Sequence, residues 1–172
     1  MVLERLLSAD YVVYKSNSVC KVGGLEERVI AGTLDKRNYL VLVPINKKES
    51  KIYVPADNEI LLSKLRKALT KDEIDLVLSS CKGLAVSWID DRKIRMENFK
   101  KTLSEGDHKS LLLMIRCILD RKQYLAMTHR KISGQDDNVL QSAIKMVDEE
   151  FSFSLAITKE EVEAYIKKVL EY

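Results

Sequence analysis

The sequence has few of the residues on which disulfide, metal and nucleophilic chemistry depend. Its 172 residues include three cysteines and two histidines. Cys20, Cys81 and Cys117 are scattered, odd in number and never arranged as C-x-x-C, which argues against a disulfide framework and against a zinc site. Glycine and proline are also scarce, at six and two residues, and there is no low-complexity tract. We therefore expect a reduced globular chain without a metal.

Long apolar runs are missing as well. Met1–Leu7 is too short for a signal peptide and too charged, since it contains Glu4 and Arg5. No apolar run approaches the length that a membrane span requires. These absences predict a cytoplasmic protein that has no membrane partner, and nothing in the sequence demands more than a monomer.

Catalytic signatures are absent too. His108 and His129 are the only histidines, and we expect both to be solvated. Gly23-Gly24 lacks the Gly-Lys-Ser/Thr that completes a phosphate-binding loop, and it fits a hairpin turn better. We interpret three acidic clusters as dipole partners of helix starts or as solvated helix faces: Asp90-Asp91, Asp136-Asp137 and Asp148–Glu150. The sequence therefore predicts that the chain is not an enzyme and uses no cofactor.

The formal net charge of +3 is modest, but the charges are distributed unevenly along the chain. Residues 92–131 contain eleven Lys or Arg against four Asp or Glu, whereas residues 132–172 contain four against nine. A basic segment followed by an acidic one predicts a surface with a basic and an acidic side.

The first third of the sequence has the pattern of short β-strands. Segments rich in β-branched and aromatic residues alternate with polar or glycine-bearing turns. We predict five strands, at Tyr11–Tyr14, Ser18–Val22, Glu26–Ala31, Asn38–Ile45 and Lys51–Pro55. Five short antiparallel strands in so short a segment predict a small SH3- or Tudor-like β-barrel.

After Pro55 the apolar residues recur with a helical period. Three helix starts have the spacing of a capping box: Thr70 with Glu73, Ser133 with Asp136, and Thr158 with Glu161. These patterns predict an all-α domain of about five helices. We therefore expect an α+β chain of two domains, residues 1–58 and residues 59–172.

The single tryptophan stands at the start of a basic segment, "VSWIDDRKIRMENFKK". Ser87 is expected to cap a helix that begins at Trp88. On that helix Trp88 adjoins the apolar stripe, and Arg92 falls within the same arc. Two interpretations stay open. Trp88 packs in the core, or it projects beside Arg92 as an apolar wedge next to a cation, a combination that suits the DNA minor groove.

Together these segments resemble the CarD family of bacterial transcription regulators. The amino-terminal part of the resemblance rests on "ADYVVYKSNSVCKV", "EERVIAG", "NYLVLV" and "IYVPADN". The helical part rests on "SWIDDRKIRMENFKKTLSEGD" and "VDEEFSFSLAIT". Lys15 and Ser18 stand where the family usually has Pro and Gly, and Asp90 and Asp91 replace basic residues of some relatives.

The resemblance implies two binding partners. The first domain is similar to the RNA-polymerase-interacting domain that the family shares with the transcription-repair coupling factor. It would bind the β subunit of RNA polymerase through Arg28, which matches a contact of the family, and Tyr53, which stands where some relatives carry an arginine.

The helical domain would contact promoter DNA upstream of the −10 element, largely without sequence specificity, and alter the stability of the open complex. Trp88 would enter the minor groove. Four cations would hold the backbone or the groove: Arg92, Arg95, Lys100 and Lys101. A protein–protein adaptor stays open as the alternative, with a barrel that accepts a partner strand and no DNA contact.

Overall fold

The computed structural model describes residues 2–14, 18–29 and 35–170. The chain divides into two compact units, Met1–Ala68 and Leu69–Tyr172. The first unit contains an antiparallel sheet with two short helices, and the second contains helices only. The predicted α+β class is therefore confirmed.

The first unit is built around a four-stranded sheet. Its elements are α1 (Val2–Leu7), β1 (Tyr11–Tyr14), β2 (Ser18–Val29), β3 (Lys36–Pro44), β4 (Ile52–Pro55) and α2 (Glu59–Leu62). Neighbouring strands pair in the order β1-β2-β3-β4, all antiparallel. In the described residues β1 and β4 are the two edges and do not pair with each other. The sheet is thus open, and the prediction of a closed SH3- or Tudor-like barrel was wrong.

Two predicted strands form one continuous strand, because Gly23 and Gly24 lie within β2 instead of making a hairpin turn. The pairing register shifts between Val22 and Leu25, and Gly24 has a φ of 88°. Gly24 therefore supplies the extra residue of a β-bulge, in a backbone region that glycine enters readily. Because of this extra residue, Val22 and Leu25 point to the same face of the sheet, and Arg28 points to the other.

One face of the sheet carries the core of the first unit, formed by Leu6, Leu40, Leu42, Val54, Leu62 and Leu65. Leu62 belongs to α2 and Leu65 follows it, so the segment after the last strand covers the sheet. For this reason the first unit continues to Ala68, whereas the sequence placed the boundary after residue 58.

The second unit consists of α3 (Lys71–Cys81), α4 (Arg92–Glu105), α5 (His108–Met127), α6 (Gly134–Leu155) and α7 (Lys159–Leu170). The described residues thus contain seven helices in all. The sequence predicted about five, all of them after Pro55, and it did not predict the short α1. No helix in the described ranges has the length and apolar character that a membrane crossing needs.

The helix starts predicted from capping spacing are confirmed. The Thr70 hydroxyl accepts a hydrogen bond from the backbone N–H of Glu73, and the Glu73 carboxylate accepts one from the N–H of Thr70. Thr158 and Glu161 exchange the same two hydrogen bonds before α7. Ser133 caps α6. Each pair satisfies backbone N–H groups that have no partner inside the helix.

Several groups that were expected to be solvated are buried in the helical unit. His108 Nε2 lies 3.0 Å from Glu150 Oε2, and both side chains are almost fully buried. Glu150 Oε1 also accepts a hydrogen bond from the Leu69 N–H at 2.9 Å, and Glu149 is buried beside it in the chain. The expectation was wrong because polar side chains that find partners can occupy a core, and sequence periodicity does not show those partners.

Candidate binding surfaces

The sheet face opposite the core brings together the two residues that the resemblance singled out in the first unit. The guanidinium carbon of Arg28 lies 4.1 Å from the centroid of the Tyr53 ring. Arg28 is on β2 and Tyr53 is on β4, with β3 between them. A guanidinium at this distance above an aromatic face makes a cation–π contact.

Local contacts hold this pair in place. Tyr39 of β3 meets Tyr53 edge to face, with ring centroids 6.3 Å apart and an interplanar angle of 90°. Arg28 Nε lies 3.6 Å from a carboxylate oxygen of Glu26, which occupies the same face two residues earlier. The bulge at Gly24 determines that this face, and not the core face, receives Arg28.

We define the Arg28 face by Glu26, Arg28, Arg37, Tyr39, Lys51 and Tyr53. Its other two cations also have acidic neighbours: Arg37 Nε lies 3.2 Å from Asp57 Oδ2, and Lys51 Nζ lies 3.7 Å from Glu26 Oε2. All of these charged side chains are substantially exposed, so the ion pairs are weak and can exchange partners. Since three cations share two carboxylates, the face favours an acidic partner.

The backbone beside Arg28 offers a second means of binding. β1 pairs with β2 only along Ser18–Lys21, and the N–H of Val22 donates to the carbonyl of Asp10. Within the described ranges, Leu25–Val29 is paired on the β3 side alone. An unpaired strand edge can accept an extended segment of another protein. Of the family departures nearby, Ser18 begins β2, and Lys15 lies outside the described residues.

Trp88 does not belong to a helix. It lies in an irregular segment between α3 and α4, and α4 begins at Arg92. Asp91 is the N-cap, and its carboxylate accepts a hydrogen bond from the Ile94 N–H at 2.9 Å. The prediction that Ser87 caps a helix starting at Trp88 was wrong. Asp91 is an equally good capping residue, and sequence alone does not decide between two candidate caps.

The ring of Trp88 lies close to two arginines. The guanidinium carbon of Arg95 is 4.4 Å from the ring centroid, and that of Arg121 is 5.3 Å from it. Phe99, a core residue, approaches the same ring with the centroids 6.3 Å apart. Trp88 is only partly buried and packs against the core of the unit. Part of the Trp88 ring therefore packs against the core, as the first of the two interpretations predicted, and another part of the ring is exposed.

Arg95 is an internal residue, 7% exposed. Its Nε and Nη2 donate to the two carboxylate oxygens of Asp136, at 3.0 and 3.2 Å. Its Nη1 donates to the backbone carbonyls of Ile89 and Asp90, at 2.7 and 3.1 Å. The guanidinium therefore links the Trp88 segment to α6 through hydrogen bonds. All of these bonds go to protein groups, whereas the sequence predicted that Arg95 contacts DNA.

Two residues of α5 extend the exposed surface beside Trp88. Arg121 lies 5.3 Å from the centroid of the Tyr124 ring as well, and its Nη2 is 3.6 Å from Asp90 Oδ1. Tyr124 is 54% exposed. We define the tryptophan surface as Trp88, Arg121 and Tyr124. Sequence reasoning missed the α5 residues because a helical pattern does not show which neighbouring segment a helix face meets.

The remaining predicted cations are separated from one another. Arg92 is exposed at the start of α4, and its Nε donates to the side-chain oxygen of Gln135 at 3.1 Å. Lys100 and Lys101 are exposed near the other end of α4, roughly 12 Å or more along the helix axis from Arg92. Lys101 also points about half a turn away from Arg92 and lies 3.8 Å from Glu105. The structure thus places Arg92 and the two lysines at opposite ends of α4.

Comparison with known proteins assigns only the first unit. Residues 8–67 match the family model of the CarD-like/TRCF RID domain. The match contains the whole described sheet, with Arg28 and Tyr53, and ends next to the unit boundary at Ala68. No curated protein matches the chain. The tryptophan surface lies outside the matched residues.

Proposed function

From the premise that residues 8–67 form a CarD-like RNA-polymerase-interacting domain, we propose that this protein is a bacterial transcription regulator that binds the β subunit of RNA polymerase. The Arg28 face is the proposed docking surface. The observation that carries the proposal is the contact between Arg28 and Tyr53, because it joins the two expected polymerase contacts into one exposed site within the matched domain.

The chemistry of the Arg28 face suits such docking. The guanidinium of Arg28 is planar and carries donors that a carboxylate or a backbone carbonyl of the partner can accept. Tyr53 holds it in one orientation, so less side-chain entropy is lost on binding. The adjacent edge of Leu25–Val29 can add backbone hydrogen bonds to an extended segment of the polymerase.

A charge-reversal experiment tests the docking site. Arg28→Glu is expected to weaken binding to the polymerase β subunit by at least about tenfold. The new carboxylate lies beside Glu26, so the face presents negative charge where the acidic partner meets a cation in the wild type. Lys36→Glu is the matched control. Lys36 is another exposed cation at the same end of the sheet, it pairs with a glutamate, and its strand position puts it on the opposite face. Equal binding by wild type and a folded Arg28→Glu variant would refute the assignment.

The helical unit is proposed to contact promoter DNA just upstream of the −10 element through the tryptophan surface. Trp88 would wedge at a base step in the minor groove, and Arg121 and Arg92 would face the negative backbone or groove. Arg95 would act as a positioning residue that holds the Trp88 segment. Because polymerase docking raises the effective concentration of the DNA site, a few cations suffice.

Such a regulator would modulate the lifetime of the open complex, without catalysis and without a cofactor, as a cytoplasmic monomer. Contact with DNA changes the equilibrium only if the protein binds the melted promoter and the closed promoter with different affinities. A wedge beside the melted region has this property, because an apolar side chain at an unstacked step replaces stacking that the duplex has lost.

An adaptor that makes no DNA contact is the second candidate, and the unpaired edge of β2 favours it. The two candidates differ in their dependence on salt. Phosphate contacts release counterions, so formation of the promoter complex should weaken steeply as salt rises if DNA is bound. Binding of the factor to polymerase alone should weaken less over the same range, because it uses few exposed charges and no phosphate contacts. Equal salt dependences of promoter-complex formation and of polymerase binding would favour the adaptor.

A further inference from the structure

A second candidate binding site lies within the helical unit. α5 and α7 both pack on α6, and a cleft of about 350 Å³ lies between them. That volume falls within the range of small-molecule sites in proteins. Its walls are largely aliphatic and include Leu112, Ile115, Leu119, Ile144, Val147 and Ile166. The cleft can therefore receive the apolar body of a ligand.

The charged residues along the cleft do not all neutralise one another locally. On α5, Arg116 Nε lies 3.8 Å from Asp120 Oδ2, and on α7, Lys167 Nζ lies 2.6 Å from Glu163 Oε1. These four side chains form two ion pairs, one on each wall of the cleft. They leave two charged side chains of the lining, Asp148 and Lys159, which form no ion pair with each other.

Asp148 projects from α6, the helix between the two walls. Among the described residues its carboxylate accepts no hydrogen bond and forms no ion pair. The charges that act on it come from α7, where Lys159 attracts it and Glu163 and Glu160 repel it. A carboxylate in an apolar cleft is unfavourable when no hydrogen-bond donor or cation meets it. Lys159 also lines the cleft, and it attracts Asp148 without forming an ion pair with it, so within the part of the chain that the structure describes the carboxylate has no direct cationic partner there.

We propose that this cleft binds a hydrophobic organic cation, such as an alkylammonium ion, with the alkyl body on the aliphatic walls and the ammonium group at the Asp148 carboxylate. The ammonium supplies the hydrogen-bonded ion pair that Asp148 does not form within the lining, and the alkyl chain displaces water from the walls. The site is separate from the tryptophan surface, and its existence does not depend on the proposed transcriptional role.

The pH dependence of binding follows from the same groups. Burial raises the pKa of Asp148 to about 6; Lys159 opposes the shift, and Glu163 and Glu160 add to it. Of the other charged side chains of the cleft, Arg116 pairs with Asp120 on α5, and Lys167 pairs with Glu163 on α7. Binding of an alkylammonium ion should therefore be full at neutral pH and should weaken as pH falls below about 6, because Asp148 then takes up a proton.

The test is a titration of the full chain with octylammonium, octanoate and octanol, followed by NMR of the isoleucine methyl groups. Octylammonium should shift the methyl signals of Ile115, Ile144 and Ile166 with saturation, and leave Ile52 of the first unit unchanged. Octanoate and octanol should bind at least about tenfold more weakly, since neither offers a cation to Asp148.

Two variants decide the role of Asp148. Asp148→Asn should weaken octylammonium binding at least about tenfold and remove its pH dependence. Asp120→Asn, in which a paired carboxylate of the same cleft is removed, should change the affinity less than about threefold. The proposal is overturned if octylammonium shows no saturable shift, if it shifts methyl groups elsewhere instead, if octanoate binds as tightly, or if a folded Asp148→Asn variant binds unchanged.

Discussion

Arg95 lies against the ring of Trp88, with its guanidinium carbon 4.4 Å from the ring centroid, and it is almost entirely buried. The contact joins two roles in one side chain. Arg95 completes a buried ion pair with Asp136, and it also supports the only tryptophan of the chain. The exposed part of Trp88 thus rests against a buried, ion-paired side chain. Such support favours a precisely positioned binding surface over a mobile one.

Loss of Arg95 should destabilise the helical unit strongly. We expect Arg95→Met to lower the free energy of unfolding by about 3–5 kcal/mol, because it leaves the Asp136 carboxylate buried without its cation. Chemical denaturation followed by circular dichroism measures this change. Arg92→Met is the matched control, because Arg92 is exposed, and its effect should stay within about 0.5 kcal/mol. A loss below about 1 kcal/mol for Arg95→Met would contradict the positioning role.

The bulge at Gly24 should control both stability and docking. With a φ of 88° at this position, Gly24→Val is expected to cost about 1–2 kcal/mol, which the free energy of unfolding reports. Deletion of Gly24 removes the bulge, so Arg28 and Glu26 would turn toward the core face. The deletion variant should therefore lose polymerase binding. Retention of wild-type affinity by the deletion variant would show that Arg28 does not depend on the bulge.

Asp148 should make stability depend on pH in an identifiable direction. Its pKa is raised from 3.8 to about 6 in the folded protein, chiefly by burial. The folded state therefore holds this proton more tightly, and the stability associated with the protonated form is lost as pH rises from about 4 through 6. Asp148→Asn should melt at a higher temperature than wild type near pH 8 and at nearly the same temperature near pH 4. A difference that does not change with pH would contradict this assignment.

The structural features that the sequence predicts correctly depend on residues that lie close together in the chain. Thr70 and Glu73 are three residues apart, and a capping box needs no information from elsewhere in the chain. The strand segments and the CarD-like resemblance of the first unit likewise follow from short runs of residues. The capping box and the resemblance of residues 8–67 are confirmed, and the predicted strand segments overlap the strands of the sheet, although two of them are joined in β2.

The features that sequence reasoning missed depend on contacts between distant segments. The glycine pair became a bulge because β3 pairs with β2 on both sides of it. His108 on α5 and Glu150 on α6 can be buried because their side chains pair with each other. Arg95 on α4 can be buried because it pairs with Asp136 on α6. Most charged residues are exposed to solvent, so a sequence pattern predicts exposure for all of them. A buried charged residue is recognised only when its partner from a distant segment is known.

DNA contact by Trp88 is tested most directly by measuring the lifetime of the open promoter complex. The complex is formed by purified RNA polymerase at saturating concentrations of this protein. Wild type is compared with Trp88→Ala and with Lys101→Ala, which removes a cation beside Glu105 near the end of α4, after all three are shown to fold and to bind polymerase equally. We expect Trp88→Ala to shorten the open-complex lifetime about tenfold, equivalent to losing a contact worth ~1.4 kcal/mol, and Lys101→Ala to change it little. An unchanged lifetime with Trp88→Ala would contradict DNA contact by Trp88 and leave the adaptor as the better account.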